Sequence, residues 1–107
     1  MTAAPDALQR LVGLALRGRH VALGREACKR AAKRGELHAL VLADDAGKSA
    51  ARDCGATPAT RVVRSGLDKR GLGAVVGRGE VAALGITDPH LADGVVRTAV
   101  RQAQPGD

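Results

Sequence analysis

The sequence predicts an α/β protein, a three-layer αβα sandwich built on a four-stranded mixed sheet. Two observations carry this. Segments with helical periodicity alternate with short strand-like runs along the whole chain, in the order αβαβαβαβα, which favours a sheet with helices on both faces. One of the runs, Leu37–Ala43, is apolar almost throughout, which suits a strand covered on both sides. A chain of 107 residues accommodates one compact domain, with a core expected over about residues 6–102.

The first helix follows from Leu8, Leu11, Val12, Ala15 and Leu16, one apolar face at helical spacing. Asp6 is placed to cap it and Gly18 to end it. His20–Leu23 reads as a short strand. Arg25–Arg34 reads as a helix opened by Gly24 and stopped by Gly35. After the apolar strand, the polar stretch Asp44–Lys48 leads into a short helix near Ser49–Cys54, and Gly55–Pro58 is a turn. Thr60–Arg64 is a strand. Ser65 with Asp68 reads as a capping box for a helix running to Val76, stopped by Gly77. Val81–Ile86 is the last strand. Asp88-Pro89 is a cap with proline at the first helical position, and Leu91, Ala92, Val95, Val96, Ala99 and Val100 share one face of the closing helix. Met1–Pro5 and Gln104–Asp107 read as frayed ends.

The chain contains no Phe, Tyr or Trp, so Ala, Val and Leu must fill the core. The same absence excludes nucleic-acid recognition by stacking bases on aromatic rings. Net charge is +6, and its distribution is uneven. Residues 1–35 hold eight Lys/Arg against two acids, whereas residues 36–107 hold nine of each sign. A basic concentration of that kind attracts phosphate backbones. Cys28 and Cys54 form no CxxC pair and are expected to be buried, reduced thiols. No signal peptide, transit peptide or membrane span is expected, since the longest unbroken apolar run, Ala39–Ala43, is too short to cross a bilayer. A cytoplasmic location is the expectation.

The second helix is the most informative segment. Ala27, Cys28, Ala31 and Ala32 fall on one face, and their small size lets the helix lie close to a sheet. Arg25, Lys29, Arg30, Lys33 and Arg34 fall on the other. The N-terminus adds exposed N–H groups and a partial positive charge, which suits phosphate. Glu26 interrupts the basic face. It has two readings: a surface pair with Arg30 at i+4, or an acceptor for base donors. Asp45-Ala46-Gly47-Lys48-Ser49 looks like half a phosphate-binding loop, but Leu42 stands where that loop needs glycine, so nucleotide hydrolysis is not expected. Gly71-Leu72-Gly73 and Gly77-Arg78-Gly79 are isolated GxG patterns, and Gly77 reads better as a helix stop. His20, His38 and His90 are scattered, so neither a metal site nor a cofactor is expected. Asp44-Asp45 reads as a solvated loop rather than a cation site.

Four features carry a family resemblance: Leu23-Gly24-Arg25-Glu26-x-x-Lys29, then Arg34-Gly35, the strand ending Ala43-Asp44-Asp45, and Leu72-Gly73-Ala74-Val75-Val76-Gly77 followed by Val81 to Thr87-Asp88. Over roughly Leu8 to Gln102 the chain resembles the bacterial YlxQ-like branch of the kink-turn-binding ribosomal-protein superfamily, the archaeal L-seven-Ae and L-thirty-e type. The resemblance implies an αβα sandwich and a Gly-x-Asn-Glu-x-x-Lys helix start that contacts sheared G·A pairs in sharply bent RNA. Gly24, Glu26 and Lys29 match that pattern. Arg25 stands where many relatives carry asparagine. Asparagine donates and accepts whereas arginine only donates, so the exchange favours phosphate attraction over base readout. The resemblance further implies that Arg78, Gly79, Glu80 and Val81 cover an extruded base, with Val81 as the apolar member.

The expected function is therefore a noncatalytic RNA-binding protein, a monomer when free, recognising kink-turn-like or other structured RNA such as ribosomal RNA. Its site residues are Gly24, Arg25, Glu26, Lys29, Arg30, Lys33, Arg78, Gly79, Glu80 and Val81. Two alternatives are an RNA-recognition subunit acting with a separate RNA-modifying enzyme, and a ribosome-associated structural protein.

Overall fold

A computed structural model describes residues 4–103, with side chains from residue 7 onward. The elements run α1 (Ala4–Arg17), β1 (Val21–Leu23), α2 (Gly24–Lys33), β2 (Ala39–Leu42), α3 (Ala50–Asp53), β3 (Arg61–Arg64), α4 (Lys69–Val75), β4 (Ala83–Ile86) and α5 (Pro89–Ala103). The expected alternation holds at every element. The four strands form one mixed sheet in the order β1-β4-β2-β3. β4 runs antiparallel to both β1 and β2, and β2 runs parallel to β3.

Side-chain alternation along the strands divides the core into two clusters. Ala39, Val41, Ala43, Leu84 and Ile86 point to the face covered by α1, α4 and α5, where they meet Leu8, Val12, Ala15, Leu72, Ala92 and Val95. Leu40, Leu42, Ala22 and Ala83 point to the opposite face, toward α2 and α3. All four residues of β2 and all four of β4 are buried, as the apolar run predicts for strands covered twice. The result is a three-layer sandwich.

Small residues set the distance between α2 and the sheet. Cys28 and Ala31 are buried beneath the helix. On the strand below, an added Cβ at Gly85 would run into Leu37 Cδ1 and stand 3.2 Å from Cys28 Sγ, so glycine leaves both side chains room between helix and sheet. The Cys28 thiol donates to the Ala22 carbonyl at 3.4 Å. Both cysteines are free and buried. Burial pushes the Cys28 thiol up from its ordinary 9.0 to about 12, with Cys54 beside it adding to the shift.

Two of the expected caps change. The backbone of α1 is already helical at Ala4, so Asp6 does not begin it, and the Asp6 side chain lies outside the described residues. Met1–Ala3 and Gln104–Asp107 lie outside them as well, whereas Ala4 and Pro5 belong to the helix. The Ser65–Asp68 capping box is also corrected. Asp68 is itself the N-cap of α4, its Oδ1 accepting from the Gly71 N–H at 2.8 Å. Ser65 is buried one turn earlier, where its Oγ accepts from the Leu67 N–H and donates to the Leu67 carbonyl, both at 3.0 Å. Serine and aspartate compete for local backbone groups, and the chain reversal at Gly66 gives Ser65 a turn to close instead of a helix. The Asp88 cap stands as expected, with the Leu91 N–H donating to Oδ2 at 2.9 Å. That bond holds the Asp88 carboxyl below its ordinary range. Among the described residues no helix is long and apolar enough to cross a membrane.

Candidate nucleic-acid interface

Strand register decides which loops meet. Leu23 pairs with Leu84 and Leu42 pairs with Ala83. The end of β1, the start of β4 and the end of β2 therefore share one end of the sheet. Because β3 runs parallel to β2, its last residue, Arg64, ends there too. The start of α2, the 43–49 loop, the 64–68 loop and the 76–82 loop consequently gather at this end. Residues 24–29 and 78–81, separated by 48 residues in sequence, belong to the same end of the molecule.

The start of α2 is open. Leu23 is extended and offers no side-chain cap, and Gly24 turns the chain into the helix with φ +86°. The first-turn N–H groups thus have no capping side chain, and the helix dipole adds partial positive charge there. Arg25, Lys29, Arg30, Lys33 and Arg34 are all exposed along the outer face. The Glu26–Arg30 pair, one of the two readings of this acid, does not form. Glu26 Oε2 lies 3.5 Å from Arg25 Nε and 3.9 Å from Lys29 Nζ. The carboxylate lies between Arg25 and Lys29 in the first turn, at the positive end of the helix dipole. These pairs are solvent-exposed and contribute little to stability. They leave Glu26 and Lys29 side by side on the surface. Arg30 and Lys33 make no salt bridge among the described residues.

The 76–82 loop is held from beneath. Gly77 reverses the chain with φ +74°, and the Arg78 N–H donates to the Gly73 carbonyl at 2.8 Å. An added Cβ at Gly73 would stand 2.7 Å from the Gly79 oxygen and 2.9 Å from the Arg78 oxygen, so α4 and the loop touch backbone to backbone. Arg78, Gly79 and Glu80 are exposed. Val81 is not. It is 8% exposed, joins the core under α1 and α5, and its N–H donates to the Lys69 carbonyl at 3.0 Å. The assignment of Val81 as an apolar cover for an extruded base is therefore corrected: it anchors the loop that presents residues 78–80. Its position at the entry to β4 gives it an inward direction that the loop sequence alone does not reveal.

Asp44 and Asp45 prove more structural than expected. Asp44 Oδ1 accepts from the Gly66 N–H and Asp45 Oδ1 from the Lys69 N–H, both at 3.0 Å. Arg64 Nη1 donates to the Asp44 carbonyl at 3.2 Å. The Ala43 N–H donates to the Ala82 carbonyl at 2.8 Å, continuing the β2–β4 ladder into the loops. These bonds tie three loops into one platform beside the start of α2. Sequence reading missed them because each joins residues at least twenty positions apart, and two adjacent acids carry no local sign of their partners.

Neither a protein-family model nor a curated protein matches the chain. Among solved structures it is similar to a protein of unknown function from Bacillus halodurans, with 26% sequence identity, a TM-score of 0.72, and coverage of 87% of this chain and 96% of that one.

Proposed function

We propose that this chain is a noncatalytic RNA-binding protein that recognises structured, sharply bent RNA of the kink-turn kind. The observation that supports this most is the meeting of two segments at one sheet end: the uncapped, basic start of α2 and the exposed loop 78–80. In this reading a phosphate sits against the free N–H groups near Gly24 and Arg25. Lys29, Arg30 and Lys33 follow the backbone of one strand. Glu26, drawn toward Lys29, accepts from base amino or imino groups, and such contacts carry sequence information that phosphate contacts lack. Arg78, Gly79 and Glu80 close over the bend from the side. A rigid platform of this type binds the bent RNA better than the extended form and so shifts the RNA toward the bend.

The test is binding to a kink-turn RNA and to the same RNA with its G·A pairs replaced, across a range of salt. Neutralising about four to six phosphates gives a log–log salt slope of roughly −3 to −5. The kink-turn RNA should bind more tightly than its replaced counterpart. Binding that ignores salt, or that treats the two RNAs alike, would overturn the proposal.

A further inference from the structure

The outer face of α1 carries a groove that the α2 site does not use. Gln9, Arg10, Gly13, Leu14 and Arg17 line it, and Val75 at the end of α4 closes one side. Arg10, Gly13 and Arg17 stand at i, i+3 and i+7, a single stripe in which the arginines are two turns apart, about 10 Å along the axis. Both arginines are exposed, and neither makes a salt bridge among the described residues. Leu14 is 50% exposed.

Gly13 has no reason in the fold. It lies inside a helix with ordinary backbone, and an added Cβ would meet nothing within 4 Å. Alanine there would favour the helix. Its lack of a side chain instead leaves a bare floor between the two arginines, where another backbone can approach closely.

We infer that this groove is a second RNA-backbone site, in which Arg10 and Arg17 bind phosphates of one strand and the strand crosses helix α1 at Gly13. The inference rests on the RNA-binding reading above and extends it to the opposite layer of the sandwich. Both charged groups of the lining are basic, so the groove favours a polyanion. Val75 lies three residues before Arg78, so one edge of the groove is joined in sequence to the 78–80 loop. A stable protein partner would need roughly 800 Å² of surface on each side. The nonpolar floor here is two side chains and a glycine, enough for a ribose or a base face.

The experiment uses the full chain and a kink-turn RNA with single-stranded extensions on both arms, titrated at 50 and 200 mM salt. Removing two phosphate contacts makes the salt slope shallower by about 1.4–1.8, so the affinity that Arg10→Ala/Arg17→Ala loses between those salts is about tenfold less than wild type loses. Gly13→Gln should keep or raise the melting temperature and still weaken RNA binding several-fold. Lys29→Ala is the control for the α2 site. If Lys29→Ala weakens binding while the α1 variants match wild type, the groove is not an RNA site, whether it is idle or takes a protein, and this inference falls while the proposed function stands. If wild type binds no structured RNA, the proposed function itself falls.

Discussion

Glycine-to-alanine exchange in two helices of this protein should have opposite effects, and the structure supplies the reason. In α1, Gly13 faces open space, so Gly13→Ala gains helix propensity of at most about 1 kcal/mol and meets no contact. In α4, Gly73 is buried, and an alanine Cβ would stand 2.7 and 2.9 Å from two carbonyl oxygens of the 78–79 backbone. Neither oxygen belongs to a flexible side chain, and the Arg78 N–H is itself bonded back to Gly73, so the loop cannot yield cheaply. Overpacking of this kind costs about 1–3 kcal/mol. The propensity gain is common to both substitutions, so the difference between them isolates the contact: about 1–3 kcal/mol. At about 4 °C per kcal/mol for a domain near this size, the two melting temperatures should differ by at least about 4 °C, with Gly13→Ala the higher. Thermal unfolding by circular dichroism measures both. Because the displaced atoms belong to the proposed RNA-contacting loop, Gly73→Ala should also weaken RNA binding by folded protein at low temperature. Equal melting temperatures for the two variants would refute the close packing of α4 on the loop.

Other expectations follow from the same geometry. Lys29→Ala should weaken RNA binding with little change in melting temperature, because Lys29 is exposed and alanine is the better helix former; a large fall in stability with unchanged affinity would make it a structural residue. Glu26→Gln should reduce the preference for kink-turn RNA over its G·A-replaced counterpart by about 1–3 kcal/mol. A carboxylate that only pairs with Arg25 and Lys29 would leave that preference unchanged. The Cys28 thiol keeps its proton up to about pH 12 in the fold but titrates near its ordinary 9.0 when unfolded. Its contribution to stability is therefore complete below pH 9 and lost as pH rises toward 12. Urea midpoints between pH 8 and 11 should fall more steeply for wild type than for Cys28→Ala, and parallel curves would contradict the burial of this thiol.

The sequence by itself determined every element of this protein to within a few residues, because the signals are local. An apolar stripe at helical spacing defines α1 and α5, an unbroken apolar run defines β2, and Gly24, Gly35 and Gly77 adopt the positive φ their places as helix boundaries suggest. The basic ridge of α2 was legible for the same reason, since residues at i, i+4 and i+8 share a face wherever the helix packs. Several features were not legible. Ser65 and Asp68 each have a local hydrogen-bonding option, and only the turn at Gly66 decides between them. Glu26 has basic neighbours at i−1, i+3 and i+4, and side-chain direction at the helix start selects the first two. Val81 is apolar in a polar loop, and its direction follows from the entry of the chain into β4. Above all, the pairing of Leu23 with Leu84 brings the start of α2 and the 78–80 loop to one end of the sheet. Strand register depends on contacts between residues far apart in the chain, which no local pattern encodes, so the tertiary structure alone decides that these two segments share one surface.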